Sequence, residues 1–232
     1  MPPRPFSFAV QLSDIIREVG ELGLQNARLD NDYKGFVNRA VKAIAERRNW
    51  SFLHDDIAVV MPAGANSVAL PANFKCLSTE KSPVTYIDTA TGRNIPIAVK
   101  TRQEIERQLY YVSYPYSKPL SEIFLEINQT GPNAGLWALN LPNADPNLTA
   151  ITFTLSCFTL PADLVLGTDS NAITNHGELC EAVINKTKAL AYFTEDPSDK
   201  RGMAANQLYE MHFKLAGMDD ARRLAAGRSI HM

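Results

Sequence analysis

A chain of 232 residues with 45% apolar side chains can bury one large or two modest cores, and its composition is that of a globular protein, not a disordered one. The 23 basic and 25 acidic side chains leave a formal charge of -2, so no global field draws the molecule onto DNA or an anionic membrane, and any nucleic-acid contact must be local. Three widely spaced cysteines, Cys76, Cys157 and Cys180, form no CxxC pair of the kind that holds zinc or a redox centre, and they favour synthesis in a reducing cytosol. The N-terminal stretch lacks the continuous apolar segment of a signal peptide, and no apolar run nears the ~18 residues of a membrane span. A soluble protein with no export signal and no membrane partner is expected.

Leu12, Ile15, Ile16, Val19 and Leu22 recur at helical spacing, with Ser7 or Ser13 as candidate caps and Gly23 as a stop. A second helix is expected after the polar turn Asp30, Asn31, Asp32, with an apolar stripe of Phe36, Val37, Ala40, Val41 and Ile44 that ends near Asn49. Its other face carries Arg39, Lys42, Glu46, Arg47 and Arg48.

After Trp50, prolines, glycines and threonines punctuate short runs in which apolar and polar residues alternate, which is strand grammar. The expected strands are Ile57 to Met61, Ser67 to Leu70, Lys75 to Ser78, Val84 to Asp88, Ile95 to Val99, Ile123 to Asn128, Leu136 to Leu141 and Thr149 to Phe158. The last is the clearest, since Ile151, Phe153 and Leu155 alternate with Thr152, Thr154 and Ser156. Asp88 to Arg93 reads as a hairpin loop. Thr101 to Tyr111 reads as a short helix capped by Thr101, with Glu104 three residues on.

Helical period returns beyond Pro161. Leu179, Val183, Ile184, Leu190 and Ala191 form one stripe, and Ala204, Leu208, Met211 and Leu215 form another after the break at Pro197. Neither terminal pair of helices has a partner of its own, so the economical solution packs the two pairs together. The expected fold is therefore α+β: an antiparallel helical bundle built from both chain ends, with an inserted antiparallel β domain, sandwich or barrel-like. Its boundaries fall at 1–49 with 165–232 for the bundle, 50–164 for the β domain and 219–232 for a C-terminal tail. Residues 49–170 hold 7 basic and 11 acidic groups and residues 1–48 hold 8 and 6, so the β part is the acidic part.

Phosphate loops, GxSxG elbows, HExxH helices and clustered carboxylates are absent from the sequence, so no catalytic residue and no cofactor is assigned. Asp55 and Asp56 are adjacent on a strand and point to opposite faces, so they do not converge on one substrate. His176 and Cys180 lie four apart beside Glu181, a spacing that two metal ligands can share, but no second ligand pair accompanies them and no metal is assigned. Tyr110, Tyr111, Tyr114 and Tyr116 beside Arg102, Arg107 and Lys118 suit either base stacking or, more simply, a packed or interface-forming loop. The basic face of the second helix can line a DNA passage or merely face solvent.

Taken in order, these residues resemble a family, the portal-tail adaptor proteins of podovirus-like tailed phages. The resemblance is carried by Leu12 to Leu22, Asp30 to Arg48 and the step Arg48 to Leu53 with Trp50 and Phe52. It continues with Val59 to Gly64, with Val68 to Phe74 including Leu70, Pro71 and Phe74, and with Thr154 to Leu164, then Glu178 onward. It covers roughly residues 8–80 and 148–216.

The resemblance implies a structural virion protein at the portal-tail junction, assembled in the host cytoplasm. Its partners would be itself as a dodecameric ring, the portal protein, and a downstream tail or nozzle protein, possibly with tail fibres, and its lumen would pass genomic DNA with non-specific contact. On that reading Arg222, Arg223, Leu224, Arg228 and Ile230 form a portal-docking element, combining apolar anchors with guanidinium groups suited to carboxylates. Arg39 and Lys42 would face the lumen. The rival reading is a tail-fibre or receptor- and carbohydrate-binding β module, motivated by Trp137 and the tyrosine-rich loop.

Overall fold

The computed structural model describes residues 11–20, 30–79, 82–87, 92–111, 120, 122–142, 149–166 and 168–228. Helix α1 (Leu12–Gly20) and helix α2 (Asp30–Arg47) form where the apolar spacing places them. Ser13 lies inside the first turn of α1, while Ser7 and Leu22 to Gly23 fall outside the described residues. The α2 stripe of Phe36, Val37, Ala40, Val41 and Ile44 is buried, as are Leu12, Ile15 and Val19 of α1.

A short 3-10 helix, Ser51–Leu53, leads into nine strands: β1 (His54–Met61), β2 (Ser67–Ala69), β3 (Phe74–Leu77), β4 (Val84–Ile87), β5 (Asn94–Pro96), β6 (Ala98–Lys100), β7 (Glu122–Ile127), β8 (Trp137–Asn140) and β9 (Ile151–Thr159). Helix α3 (Arg102–Tyr111) interrupts them, and α4 (Gly177–Glu195) and α5 (Lys200–Arg228) follow. The chain divides into two compact units, 1–53 with 160–232, and 54–159. Trp50, Leu53 and Leu164 are buried in the helical core, which is why these cuts differ from the 49/50 and 164/165 cuts expected from composition.

In the β unit, β9 is the organising strand. It pairs antiparallel with β1 over eight positions, from His54 opposite Phe158 to Met61 opposite Ile151, and further with β3 and β4. Phe153, Leu155 and Cys157 are buried while Thr152 is exposed, the alternation that the sequence shows. One sheet runs β1-β9-β4-β5 with β3 also on β9, and a second runs β2-β8-β7-β6. A single apolar cluster that includes Met61, Phe74, Val84, Ile123, Leu139 and Phe153 draws on both sheets.

The run expected as one strand, Ile95 to Val99, is two strands in different sheets. Pro96 has no N–H to give to a ladder, and Ile97 turns inward to 3% exposure with its N–H on the Val84 carbonyl at 3.0 Å, so the chain changes sheet there. Not every pairing is antiparallel: β6 and β7 run parallel because α3 makes the crossover between them. The capping box is present. Thr101 N–H and Oγ1 both donate to Glu104 Oε2 at 2.8 Å, and Glu104 N–H donates back to Thr101 Oγ1 at 3.3 Å.

The helical unit is the bundle of both chain ends, with α4 packed on α1, α2 and α5. Pro197 closes α4, and Asp196 and Asp199 organise the turn by accepting from the Ser198 and Arg201 N–H groups at 2.8 and 2.7 Å. The face that α5 turns inward is not the expected one. Ala205, Tyr209, Ala216 and Asp220 are buried, whereas Ala204, Leu208, Met211 and Leu215 are exposed. Small residues decide this: a Cβ at Gly202 would stand 2.7 Å from the Phe193 ring of α4, so the inner face of α5 approaches closer than larger side chains allow.

Candidate interaction surfaces

Three exposed surfaces of the helical unit are built on fixed supports, and each begins with a brace inside the bundle. At the end of α2, Arg47 donates to Tyr209 Oη at 3.2 Å and to Glu210 Oε1 at 2.7 Å while lying over the Phe213 ring at 4.5 Å. The guanidinium holds the Glu210 carboxyl below its ordinary value through that hydrogen bond. Arg48 lies 5.2 Å over Trp50 and 3.9 Å from Asp220 Oδ2. Arg47 and Arg48, part of the charged face read from the sequence, thus tie α2 to α5.

The α2 face left to solvent carries Gly35, Arg39, Lys42 and Glu46, one turn apart. Lys42 Nζ is 3.9 Å from Glu46 Oε1, and Arg39 is exposed. The structure therefore places the two expected lumen residues side by side on one exposed ridge.

The C-terminal segment is helical, not a separate tail: α5 runs unbroken through Asp219 to Arg228. Arg222, Arg223 and Leu224 are exposed, Arg222 pairs with Asp219 at 3.6 Å, and the Arg228 backbone ends the helix. Ile230 lies outside the described residues. Asp220, one residue into the expected tail, belongs to the core. It is 2% exposed and accepts from the Ser51 N–H at 3.3 Å and from the Ser51 hydroxyl.

The third surface was not legible as a motif. Between β9 and α4 the chain presents Val165 and Leu166 at 59% and 64% exposure, yet its backbone is bolted down. Asn38 on α2 grips Leu164 twice, accepting from its N–H at 2.8 Å and donating to its carbonyl at 3.0 Å. Asp169 Oδ2 accepts from both the Val165 and Leu166 N–H groups at 2.7 Å, and these bonds hold its carboxyl below the ordinary range. The Asp169 carbonyl in turn accepts from Leu12 N–H at 2.9 Å. Replacing Asn38 with Ala leaves both Leu164 backbone groups without this partner, and we expect a loss of about 1–3 kcal/mol in urea unfolding, with Asn38→Asp recovering the N–H half.

Other residues singled out in the sequence have structural surroundings. His176 immediately precedes α4 and stacks on Phe52 with ring centroids 5.4 Å apart, and Cys180 is buried a turn later. Among the described residues no group of three His, Cys, Asp or Glu side chains could hold a metal. Arg102 is engaged by Glu106 at 2.8 Å and Glu126 at 2.7 Å, and residues 112–119 of the tyrosine-rich loop lie outside the described residues. Trp137 packs edge-on to Phe74 at 6.3 Å as part of the β core. Burial pushes the Cys157 thiol up to about 11, with the Asp55 and Asp56 charges adding to it, so it is not a thiolate at neutral pH.

Burial, and next the charge of Arg223, lower the affinity of His176 for a proton. The unfolded chain then binds the proton more readily than the folded one, so stability falls as pH drops below about 6.5. We expect the unfolding midpoint of the wild type to fall between pH 7 and pH 5.5 more than that of His176→Phe, which keeps the stack without the titration.

Among the described residues no helix is long and apolar enough to cross a membrane. No curated protein matches the chain. The sequence profile of the family described as SU10 adaptor protein does match, over residues 10–230, spanning both helical segments and the inserted β unit. The chain belongs to the SU10 adaptor protein family of phage head-tail adaptors, a structural family, which makes it a component of the virion that meets other head and tail proteins.

Proposed function

We propose that the protein is the subunit of a ring, dodecameric in the particle, that joins the portal to the tail of a podovirus-like phage and lets the genome pass during ejection, with no catalytic role. The observation that carries this is α5, a helix whose inner face closes the bundle while Leu208, Met211, Leu215 and Met218 remain 38–50% exposed on its outer face. A subunit working alone gains nothing from such a stripe, whereas a ring requires lateral surfaces on every copy. Native mass spectrometry of the protein, alone and mixed with the portal protein of the same phage, tests it. Twelve copies on the portal are expected; a stable trimer indifferent to portal sinks the reading in favour of a fibre module.

Within this reading Arg222, Arg223, Leu224 and Arg228 dock on the portal together with Ile230, the β unit meets the downstream tail or nozzle protein, and Arg39 and Lys42 attract passing DNA without sequence preference. Truncation to probe docking must begin after Asp220, since a cut at 219 removes a core residue. Loss of residues 221–232 should abolish portal binding while far-UV circular dichroism changes only by the missing turns. Arg39→Glu with Lys42→Glu should reduce DNA retention, and unchanged retention counts against a lumenal position.

A further inference from the structure

The ring reading leaves open which surface of one copy meets which surface of the next, and the inference that follows rests on that reading. Among its described residues the helical unit exposes, besides Met203 and Leu224, two groups of apolar side chains. One is short: Val165 and Leu166, on backbone held by Asn38 and Asp169. The other is an elongated stripe, Leu208, Met211, Leu215 and Met218, with alternating spacings of three and four residues, covering roughly 15 Å of helix. Both are exposed in the single chain, so neither covers the other.

Their charges are complementary. Asp163 stands exposed two residues before the first feature, and Asp169 supports it from below. Lys214 stands exposed beside the stripe on α5, Arg222 beyond it pairs with Asp219 at 3.6 Å, and the other acidic residues of that stretch are turned elsewhere, Glu210 to Arg47 and Asp220 to Ser51. A contact that pairs an acidic knob with a basic-edged stripe is heterologous: each copy uses its knob on one neighbour and its stripe on the other, which is what a closed ring needs. Fixing the knob beforehand through four side-chain to backbone hydrogen bonds also lowers the ordering cost of association.

We infer that Val165 and Leu166 of one copy seat on the Leu208–Met218 stripe of the next, making the lateral contact of the ring between two copies of this chain. Val165→Asp with Leu166→Asp gives a knob-deficient protein, and Met211→Asp with Leu215→Asp gives a stripe-deficient one. Each, by native mass spectrometry alone and with portal, should lose self-association at least about 30-fold. Mixed together they should form a one-to-one heterodimer and nothing longer, because only one intact knob and one intact stripe remain.

Wild-type assembly by both variants overturns the contact but leaves the ring reading standing. Self-association by the knob-deficient variant alone means stripe meets stripe, and overturns it too. A wild-type chain that assembles neither alone nor on portal removes the ring reading itself. A charge exchange covers the case in which an aspartate variant unfolds: Lys214→Glu should weaken assembly, and Asp163→Lys in the same chain should restore it. Failure of that restoration, with both proteins folded, also overturns the contact.

Discussion

Replacing Trp50 with alanine should cost the protein about 3–5 kcal/mol, visible as a fall in the urea midpoint with little change in slope. Trp50 is fully buried, and its indole N–H donates at 3.1 Å to the carbonyl of Ile44 in the last turn of α2. Its ring stacks with Phe52 at 5.9 Å and meets the Phe213 edge at 5.4 Å. Removing it opens a large cavity, takes one hydrogen bond from the Ile44 carbonyl and removes the surface on which Arg48 rests. Trp50→Phe fills most of the volume without the N–H, so it should lie between. A loss below about 1 kcal/mol for Trp50→Ala would mean that the site collapses around the smaller residue.

Asp220→Ala should be nearly as severe, about 3–5 kcal/mol, for an electrostatic reason. The carboxylate is almost wholly buried, accepts from the Ser51 N–H and the Ser51 hydroxyl, and lies 3.9 Å from the Arg48 guanidinium. Removing it takes the acceptor from the two Ser51 donors and a negative charge from beside Arg48, which costs more than the contacts contribute. Asp220→Asn keeps an acceptor for Ser51 but not the charge, and should cost roughly half as much. The double variant Asp220→Ala with Arg48→Met should recover part of the loss, since the positive charge goes with the negative one. If the double variant is no more stable than Asp220→Ala, then the charge of Arg48 is not what makes the loss of Asp220 costly.

The sequence makes plain whatever depends on local period. Alternation along β9, the α2 stripe and the Thr101–Glu104 box are short-range signals, and each has its expected structure. Two features needed tertiary knowledge. On α5 two apolar faces compete, and hydrophobicity favours the one with Leu208, Met211 and Leu215, whereas packing selects the smaller Gly202, Ala205 and Ala216. Contact distance to Phe193 decides that, and no reading of one helix contains it. Likewise Val165 and Leu166 look like ordinary loop residues until Asn38, 126 positions from Leu164, is seen to grip the chain beside them.

That Arg39 and Lys42 share one exposed face of α2 was legible because a helical wheel puts them there. That the segment from 219 continues α5 and seats Asp220 in the core was not legible, because two adjacent aspartates followed by arginines carry no apolar signal.

A unit assembled from residues 1–53 and 160–232 also has an order of manufacture. Residues 54–159 are contiguous and can fold as they emerge, but α1 and α2 wait for α4 and α5, an interval of about 10–35 s at ordinary elongation rates. Their apolar stripes stay uncovered through that time, so nascent chains on one messenger are most prone to wrong association then. The outer stripe of α5 is made after α1, α2 and α4, on the helix that completes the bundle. In the proposed lateral contact, a copy therefore cannot offer its stripe to a neighbour before its own bundle can close.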